Sequence, residues 1–293
     1  MRQLTQQVVS GLASGGIFAS LALAFVLVHR AMGVVNFAQG EIAMFTTFIA
    51  WSLLETGMPY AAAFLLAVVA AFAIGVGVER TVIRPVERGP VLATVIVTIG
   101  LATVFNGLAG AIWLYMLKAF PSPFPARTVT VDGAAISDQD LGLIGTSLVV
   151  MVLMYAFFQH TRVGLVMRAA ALDPVTSRLL GVRVGWMLAL GWGLAAMVGA
   201  VSGMMVAPVV FLEPNFMQTV AIYALAAAVL GGIDSALGAV IGGAVVGVTV
   251  NLVGTYLGST GASLRLVVAL AIIICVLVVR PSGLLGRPDA QRV

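Results

Sequence analysis

Apolar residues run along this chain in nine stretches, at 8–28, 42–54, 60–78, 91–117, 141–159, 188–212, 219–230, 236–257 and 264–279. A bilayer core takes roughly 20 consecutive apolar residues per helix, so the pattern predicts transmembrane helices from end to end. The stretches 42–54 and 219–230 are short and predict half-helices. Membranes tolerate these only where protein or a cavity covers the free backbone groups. The longest polar segment, Lys118 to Asp140, holds Pro121, Pro123, Pro125, Asp132, Asp138 and Asp140 and reads as an exposed loop. No room is left for a soluble domain. The expected fold is all-α, a polytopic transmembrane helix bundle of about 8–9 spans forming a single domain over residues 1–293.

Composition places the chain in lipid: 61% of its 293 residues are apolar, 9% are charged, and the mean hydropathy is +1.13. Arg2 precedes the first stretch, whose 21 residues exceed the usual core of a cleavable signal, so this stretch reads as a signal-anchor span. The one cysteine, Cys275, lies mid-span, which excludes disulfide and thiolate-metal frameworks.

The net charge of +4 is not one nucleic-acid-binding patch. Arg80, Arg84 and Arg88 fall between the third and fourth stretches. Arg162, Arg168, Arg178 and Arg183 fall between the fifth and sixth, and Arg280, Arg287 and Arg292 follow the last. By the positive-inside rule all three segments are cytoplasmic, the C-terminus included. The segment 118–140 and the loop near Glu213 then face outside. Nine spans put the N-terminus outside; a re-entrant 42–54 would give eight, with Arg2 inside and Arg30 outside. Nine is the preferred reading.

Glycines recur inside the apolar segments, at Gly11, Gly15, Gly16, Gly231, Gly232, Gly238, Gly242, Gly243 and Gly247. The spacings Gly238/Gly242 and Gly243/Gly247 are the small-xxx-small pattern that lets helices approach closely in lipid.

Candidate chemistry is sparse. A P-loop needs a lysine after its glycines to reach the phosphates, and the chain's single lysine is Lys118, in Leu114-Tyr115-Met116-Leu117-Lys118. His29 and His160 stand alone at span ends, no HExxH or GxSxG occurs, and no metal or cofactor site is implied. The acids Glu41, Glu55, Glu79, Glu87, Asp173, Glu213 and Asp234 fall at span ends, unlike the mid-span carboxylates of proton-coupled transporters. Energy for moving a solute would therefore arrive from a cytoplasmic partner. The loop His160 to Val184 suits such docking. Within it, Asp173-Pro174-Val175-Thr176-Ser177-Arg178-Leu179-Leu180-Gly181 has a capping residue, a proline at the first helical position and a glycine past the end. These predict a helix of about two turns, with Leu179 and Leu180 as an apolar knob. Arg162, Arg168, Arg178 and Arg183 surround it with charge for a partner's carboxylates or anionic lipid.

Several motifs together resemble the ABC-transporter permeases of the branched-chain amino acid type, the LivH-like half. They are Gly11 to Ala19 (GLASGGIFA), Met32 to Glu41 (MGVVNFAQGE), Thr161-Arg162-Val163-Gly164 with Met167-Arg168-Ala169-Ala170 and Asp173-Pro174, Leu230-Gly231-Gly232 with Gly238 to Gly243, and Arg280 to Gly286 (RPSGLLG). The resemblance runs nearly end to end. It implies a type II importer-like fold working by alternating access in the bacterial inner membrane. The partners it implies are a second, LivM-like permease, two cytoplasmic ATPase subunits and an extracytoplasmic solute-binding protein. The arginine loop would then be the segment that seats on an ATPase. Branched-chain amino acids are the expected solute, ahead of other amino acids, amides or urea. One departure is Ile233-Asp234-Ser235-Ala236, where a turn richer in glycine and proline is expected.

The polar residues Asn36, Gln39, Glu41, Asn106 and Asn251 inside or beside apolar segments are candidates for lining a pathway, or for bonding neighbouring helices. Glu41 would also favour a helix N-terminus through the dipole. A non-transporting membrane scaffold and a passive channel are the rival readings. Asn36-Phe37-Ala38-Gln39 and Asn215-Phe216-Met217-Gln218 each precede a short stretch, the arrangement an inverted-topology repeat would produce. From the missing P-loop lysine, the purified chain alone is expected neither to bind nor to hydrolyse ATP. Saturable hydrolysis that tracks this polypeptide through purification, free of any ATPase subunit, would contradict that.

Overall fold

The computed structural model describes residues 2–87, 89–131, 134–257 and 260–286. Arg88, Arg287 and Arg292 of the arginine clusters, and Asp132, lie outside the described residues. Every apolar stretch is helical. The helices are α1 (Arg2–Met32), α2 (Gln39–Glu55), α3 (Tyr60–Val78), α4 (Val91–Trp113), α5 (Asp138–His160), α8 (Val184–Val210), α9 (Phe216–Gly231), α10 (Ala236–Tyr256) and α11 (Gly261–Val279). Between the fifth and sixth stretches lie two more, α6 (Arg162–Leu172) and α7 (Pro174–Leu179). Among the described residues, six helices are long and apolar enough to cross a membrane by length and composition: α1, α3 with the π-helical turn Glu79–Ile83 that extends it, α4, α5, α8 and α10. With 17 and 16 residues, α2 and α9 reach only about 25 Å against a core of roughly 30 Å.

Two helix ends differ from the apolar pattern. The stretch 91–117 leaves the helix after Trp113, and the stretch 188–212 after Val210, because Leu114 and Phe211 take φ of 64° and 65°. For residues with a side chain this conformation costs of order 1–3 kcal/mol. Beyond these turns Lys118 and Leu212 exchange backbone hydrogen bonds of 2.9 and 3.0 Å. Hydropathy records the solvent of a segment, not the sign of its φ. The polar segment 118–140 likewise contains more than loop: β1 (Thr128–Val131) pairs antiparallel with β2 (Ala134–Ser137), Val131 opposite Ala134. The Asp-Gly dipeptide between them in the sequence was the available signal.

The chain divides into two compact units, each discontinuous. One contains the segments up to Val26, Ser122–Val149 and Thr219 onward; the other contains Leu27–Pro121 and Val150–Gln218. In the second unit α8 is the packing hub. Its Gly191, Gly193, Ala195, Ala196, Gly199, Ala200 and Gly203 are all buried. A Cβ on Gly75 of α3 would stand 2.5 Å from the Trp192 carbonyl oxygen, and one on Gly199 would stand 2.7 Å from Gln39 Nε2 of α2. Lipid tails are as apolar as leucine, so these helices associate through close packing rather than exclusion from water. By contrast, α4 is only 17% buried over its most apolar window and offers an aliphatic face, with Val91, Leu92, Ile96, Ile99, Val104 and Leu108 exposed.

In the first unit, α10 uses its two glycine pairs on two neighbours. Gly238 and Gly242 meet the backbone of Gly231 and Ala227 on α9, whereas Gly243 and Gly247 meet Ala19 and Gly11–Gly15 on α1. The α9–α10 turn is closed by Gly232 at φ +105° and by Ser235, whose Oγ accepts from Gly238 N at 3.0 Å. Ser235 thus supplies the cap where a glycine- and proline-rich turn was expected. The segment Arg280 to Gly286 lies on this turn, with Leu284 N and Leu285 N donating to the carbonyls of Leu230 and Gly231 at 2.9 Å each.

Replacing Gly247 by leucine is expected to lower the thermal stability of the purified chain by about 1–3 kcal/mol, because the obstacle is backbone that cannot swing aside. Gly107→Ala, where a Cβ meets nothing within 4 Å, should leave the unfolding midpoint unchanged or higher. Equal midpoints for the two variants in detergent would contradict the packing assignment.

Candidate coupling loop and intramembrane polar cluster

The loop between α5 and α8 is built by local capping. Thr161 Oγ1 accepts from Gly164 N at 3.0 Å and starts α6, whose Gly164, Met167 and Ala170 form a buried face. This helix was not anticipated; the three-residue spacing of small and apolar residues was its signal. Asp173 starts α7: its Oδ1 accepts from Val175 N and Thr176 N at 3.0 Å each, and its Oδ2 accepts from the Thr176 hydroxyl at 2.6 Å. The Thr176 hydroxyl, then the backbone N–H groups, hold the Asp173 carboxyl below the usual carboxylate range. The cap is therefore complete above that range and is lost only as pH falls through the lowered value.

Pro174 occupies the first helical position, and the helix ends where Gly181, at φ +83°, donates to the Arg178 carbonyl at 3.0 Å and Val182 N donates to Ser177 at 3.0 Å. At six residues α7 falls just short of the two turns expected. Only Ser177 of this helix is buried. Leu179 and Leu180 are 83% and 79% exposed, joined by Leu172 at 79% and Val175 at 66%. Arg178 is exposed on the same short helix and Arg162 is exposed at the start of α6, while Arg168 donates to Gln159 Oε1 at 3.0 Å. Behind the loop, the Arg80 guanidinium lies 3.4 Å from the centre of the Trp186 ring at the start of α8, and Arg84 lies against Gly185. Glu79, in the π-helical turn, is fully buried, and its carboxylate accepts no hydrogen bond among the described residues. Sequence reading assigned these three residues to topology or span ends and missed this arrangement.

A second group of polar residues gathers at the start of α2. Asn36 Nδ2 donates to Gln39 Oε1 at 3.2 Å, its Oδ1 accepts from Ala38 N at 3.0 Å, and Gln39 Nε2 donates to the Ala195 carbonyl at 2.9 Å. Ala195 is about 16 Å along α8, so α2 begins against the middle of a spanning helix. Glu41 is 6% exposed in the first turn of α2 and accepts from Asn106 Nδ2 at 3.3 Å. Asn106 lies about 22 Å along α4. The expectation that acids fall at span ends therefore needs correcting for Glu41: it is at a helix end but at the depth of its neighbours' interiors, because α2 starts inside.

Asn106 Nδ2 also reaches the Pro214 carbonyl at 2.8 Å and Asn215 Oδ1 at 3.0 Å, and its Oδ1 accepts from the Tyr115 hydroxyl at 2.9 Å. Gln218 Nε2 donates to Asn215 Oδ1 at 3.1 Å. The two Asn-Phe-x-Gln segments make the same turn, with Gln39 N and Gln218 N each donating to the Asn carbonyl at 3.1 Å. Tyr115, Asn215 and Gln218 join the cluster through folding alone. Asn251 belongs to the other unit, where it donates to the Gln7 carbonyl at 2.7 Å and to Gln7 Oε1 at 2.9 Å.

Comparison with known proteins agrees with this architecture. PsaBC from Streptococcus pneumoniae, solved in complex with Fab, superposes with a TM-score of 0.51 at 14% identity, covering 93% of this chain and 91% of that one. At that identity the likeness shows the fold alone, the type II importer-like helix arrangement. In sequence, the high-affinity branched-chain amino acid transport system permease protein LivH of Escherichia coli K12 is 30% identical over 98% of this chain and 97% of its own length. BraD of Pseudomonas aeruginosa, described in the same words, is 31% identical over the same shares, and a probable LivH of Methanocaldococcus jannaschii is 26% identical over 91% and 87%. A family model described as branched-chain amino acid transport system / permease component matches residues 7–277. With that match across nearly the whole chain, the protein belongs to the family of permease components of branched-chain amino acid transport systems.

Proposed function

We propose that this chain is the permease subunit of an ABC importer that moves branched-chain amino acids across the inner membrane by alternating access, driven by separate ATPase subunits. Its partners in this reading are a second, LivM-like permease, two cytoplasmic ATPases and an extracytoplasmic binding protein, with the C-terminus on the cytoplasmic side. The observation that carries the proposal is the capped helix α7. Leu172, Val175, Leu179 and Leu180 stand out from a loop that the arginine distribution assigns to the cytoplasm. There, unlike within a span, an exposed aliphatic group has water rather than lipid around it, and such a patch marks a surface for a protein partner. Arg178 within the patch, with Arg162 at the start of α6, supplies charge that a carboxylate-lined groove on an ATPase would match, steering and registering the contact.

Asn36 and Gln39 secure the start of α2, and Asn251 joins α10 to α1. Glu41 and Asn106, with one side of their cluster exposed at Asn215 and Gln218, are the residues assigned to the solute pathway.

Reversing one charge on the coupling helix tests the reading. Arg178→Glu is expected to lower both amino-acid uptake and solute-stimulated ATP hydrolysis by roughly tenfold or more, with normal membrane insertion of the variant. An assembled variant importer with wild-type uptake would show that α7 is not the docking element.

A further inference from the structure

Three acceptors converge on one nitrogen in the α2–α4 cluster: Glu41 Oε2 at 3.3 Å, the Pro214 carbonyl at 2.8 Å and Asn215 Oδ1 at 3.0 Å, all measured to Asn106 Nδ2. A primary amide nitrogen carries two hydrogens. It cannot satisfy three acceptors, one of them a carboxylate, whereas an ammonium group carries three hydrogens and a full positive charge. The group that donates to Glu41 here is the neutral amide of Asn106. A buried carboxyl held by a neutral amide either keeps its proton or pairs with a positive charge, and an arriving ammonium group would supply that charge.

We propose that Glu41, the Pro214 carbonyl and the Asn215 side-chain oxygen receive the α-ammonium group of the amino acid in transit, displacing the Asn106 amide nitrogen that occupies the space between them. The inference rests on the reading of the chain as an amino-acid permease. Asn215 and Gln218 are exposed, so the cluster is open on their side. Two further features suit a zwitterion with a branched side chain. The first turn of α9 begins at Phe216, directly after Pro214 and Asn215, and the positive end of its helix dipole would favour the solute carboxylate. Phe45, Phe105 and Trp113, with ring centres 5.3 Å apart in two edge-to-face pairs, lie on the same two helices as Glu41 and Asn106 and offer an apolar wall.

The test uses the assembled importer in nanodiscs without its binding protein, and three probes that share the isobutyl side chain: leucine, isoamylamine, which lacks the carboxylate, and isocaproate, which lacks the ammonium. Leucine and isoamylamine are expected to raise the thermal midpoint of the wild-type assembly and isocaproate to leave it unchanged. The ammonium-dependent shift should vanish in Glu41→Gln. In proteoliposomes with the binding protein present, Glu41→Gln should lose roughly tenfold or more of leucine uptake, the loss expected for one charged hydrogen bond, while binding-protein-stimulated ATP hydrolysis persists. Glu41→Asp should retain part of the uptake. Stabilisation by isocaproate equal to that by leucine, absence of any leucine-dependent shift, or wild-type uptake by Glu41→Gln would each overturn the assignment. If Glu41→Gln does not assemble, the three-probe comparison on the wild type decides alone. An assembled wild-type importer that takes up no branched-chain amino acid would instead overturn the broader reading of the chain.

Discussion

The close approach of α8 to α2 and α3 is the contact on which the remainder of its unit depends. Helices in lipid gain nothing from hiding apolar surface, so what holds them is dispersion between surfaces that fit. The fit comes from glycine and alanine on α8, where a single added carbon on facing Gly75 would collide with backbone. Backbone-to-backbone contact also brings main-chain polar groups within reach of side chains. The Gln39 amide can donate to the Ala195 carbonyl because nothing bulkier than Gly199 stands beside it.

That one hydrogen bond sets the depth at which α2 begins. A helix starting inside a membrane has unbonded N–H groups at its first turn, and lipid offers them nothing. Here Asn36 turns back on Ala38 and Gln39, and the backbone of Gln39 bonds the Asn36 carbonyl, so the exposed turn is closed internally. Asn215 and Gln218 close the start of α9 with the same backbone bond, while their side-chain bond runs the other way, from Gln218 Nε2 to Asn215 Oδ1. Once both short helices are anchored this way, Glu41, Asn106 and Asn215 meet without any of them being adjacent in sequence. The result is a group of acceptors richer than its donors, and that imbalance gives the cluster its chemistry.

The loop between α5 and α8 obeys a different economy. Thr161, Asp173, Pro174 and Gly181 fix α6 and α7 by short-range bonds alone. Such a segment needs little support from the spans and can present Leu179 and Leu180 outward while Ser177 faces in. A rigid knob loses little conformational freedom on docking, which makes it suited to transmitting force from one subunit to another.

What the sequence determined by itself was whatever rests on local or solvent-level physics. The helices of the nine apolar stretches follow from uninterrupted apolar runs, and α7 follows from a cap, a proline and a glycine within nine residues. Positions of glycine pairs were legible too, although which neighbour each pair faces was not: Gly242 turns to α9 and Gly243 to α1, a difference of one residue around a helix. Only the tertiary structure decided where helices stop within an apolar run, since the reversal of φ at Leu114 and Phe211 leaves hydropathy unchanged. It alone placed Glu41 deep, because depth depends on where a helix begins relative to its neighbours rather than on its own sequence. It alone assembled Asn106 with Pro214 and Asn215, more than a hundred residues away. Convergence of that kind is a property of packed surfaces, and no periodicity along the chain encodes it.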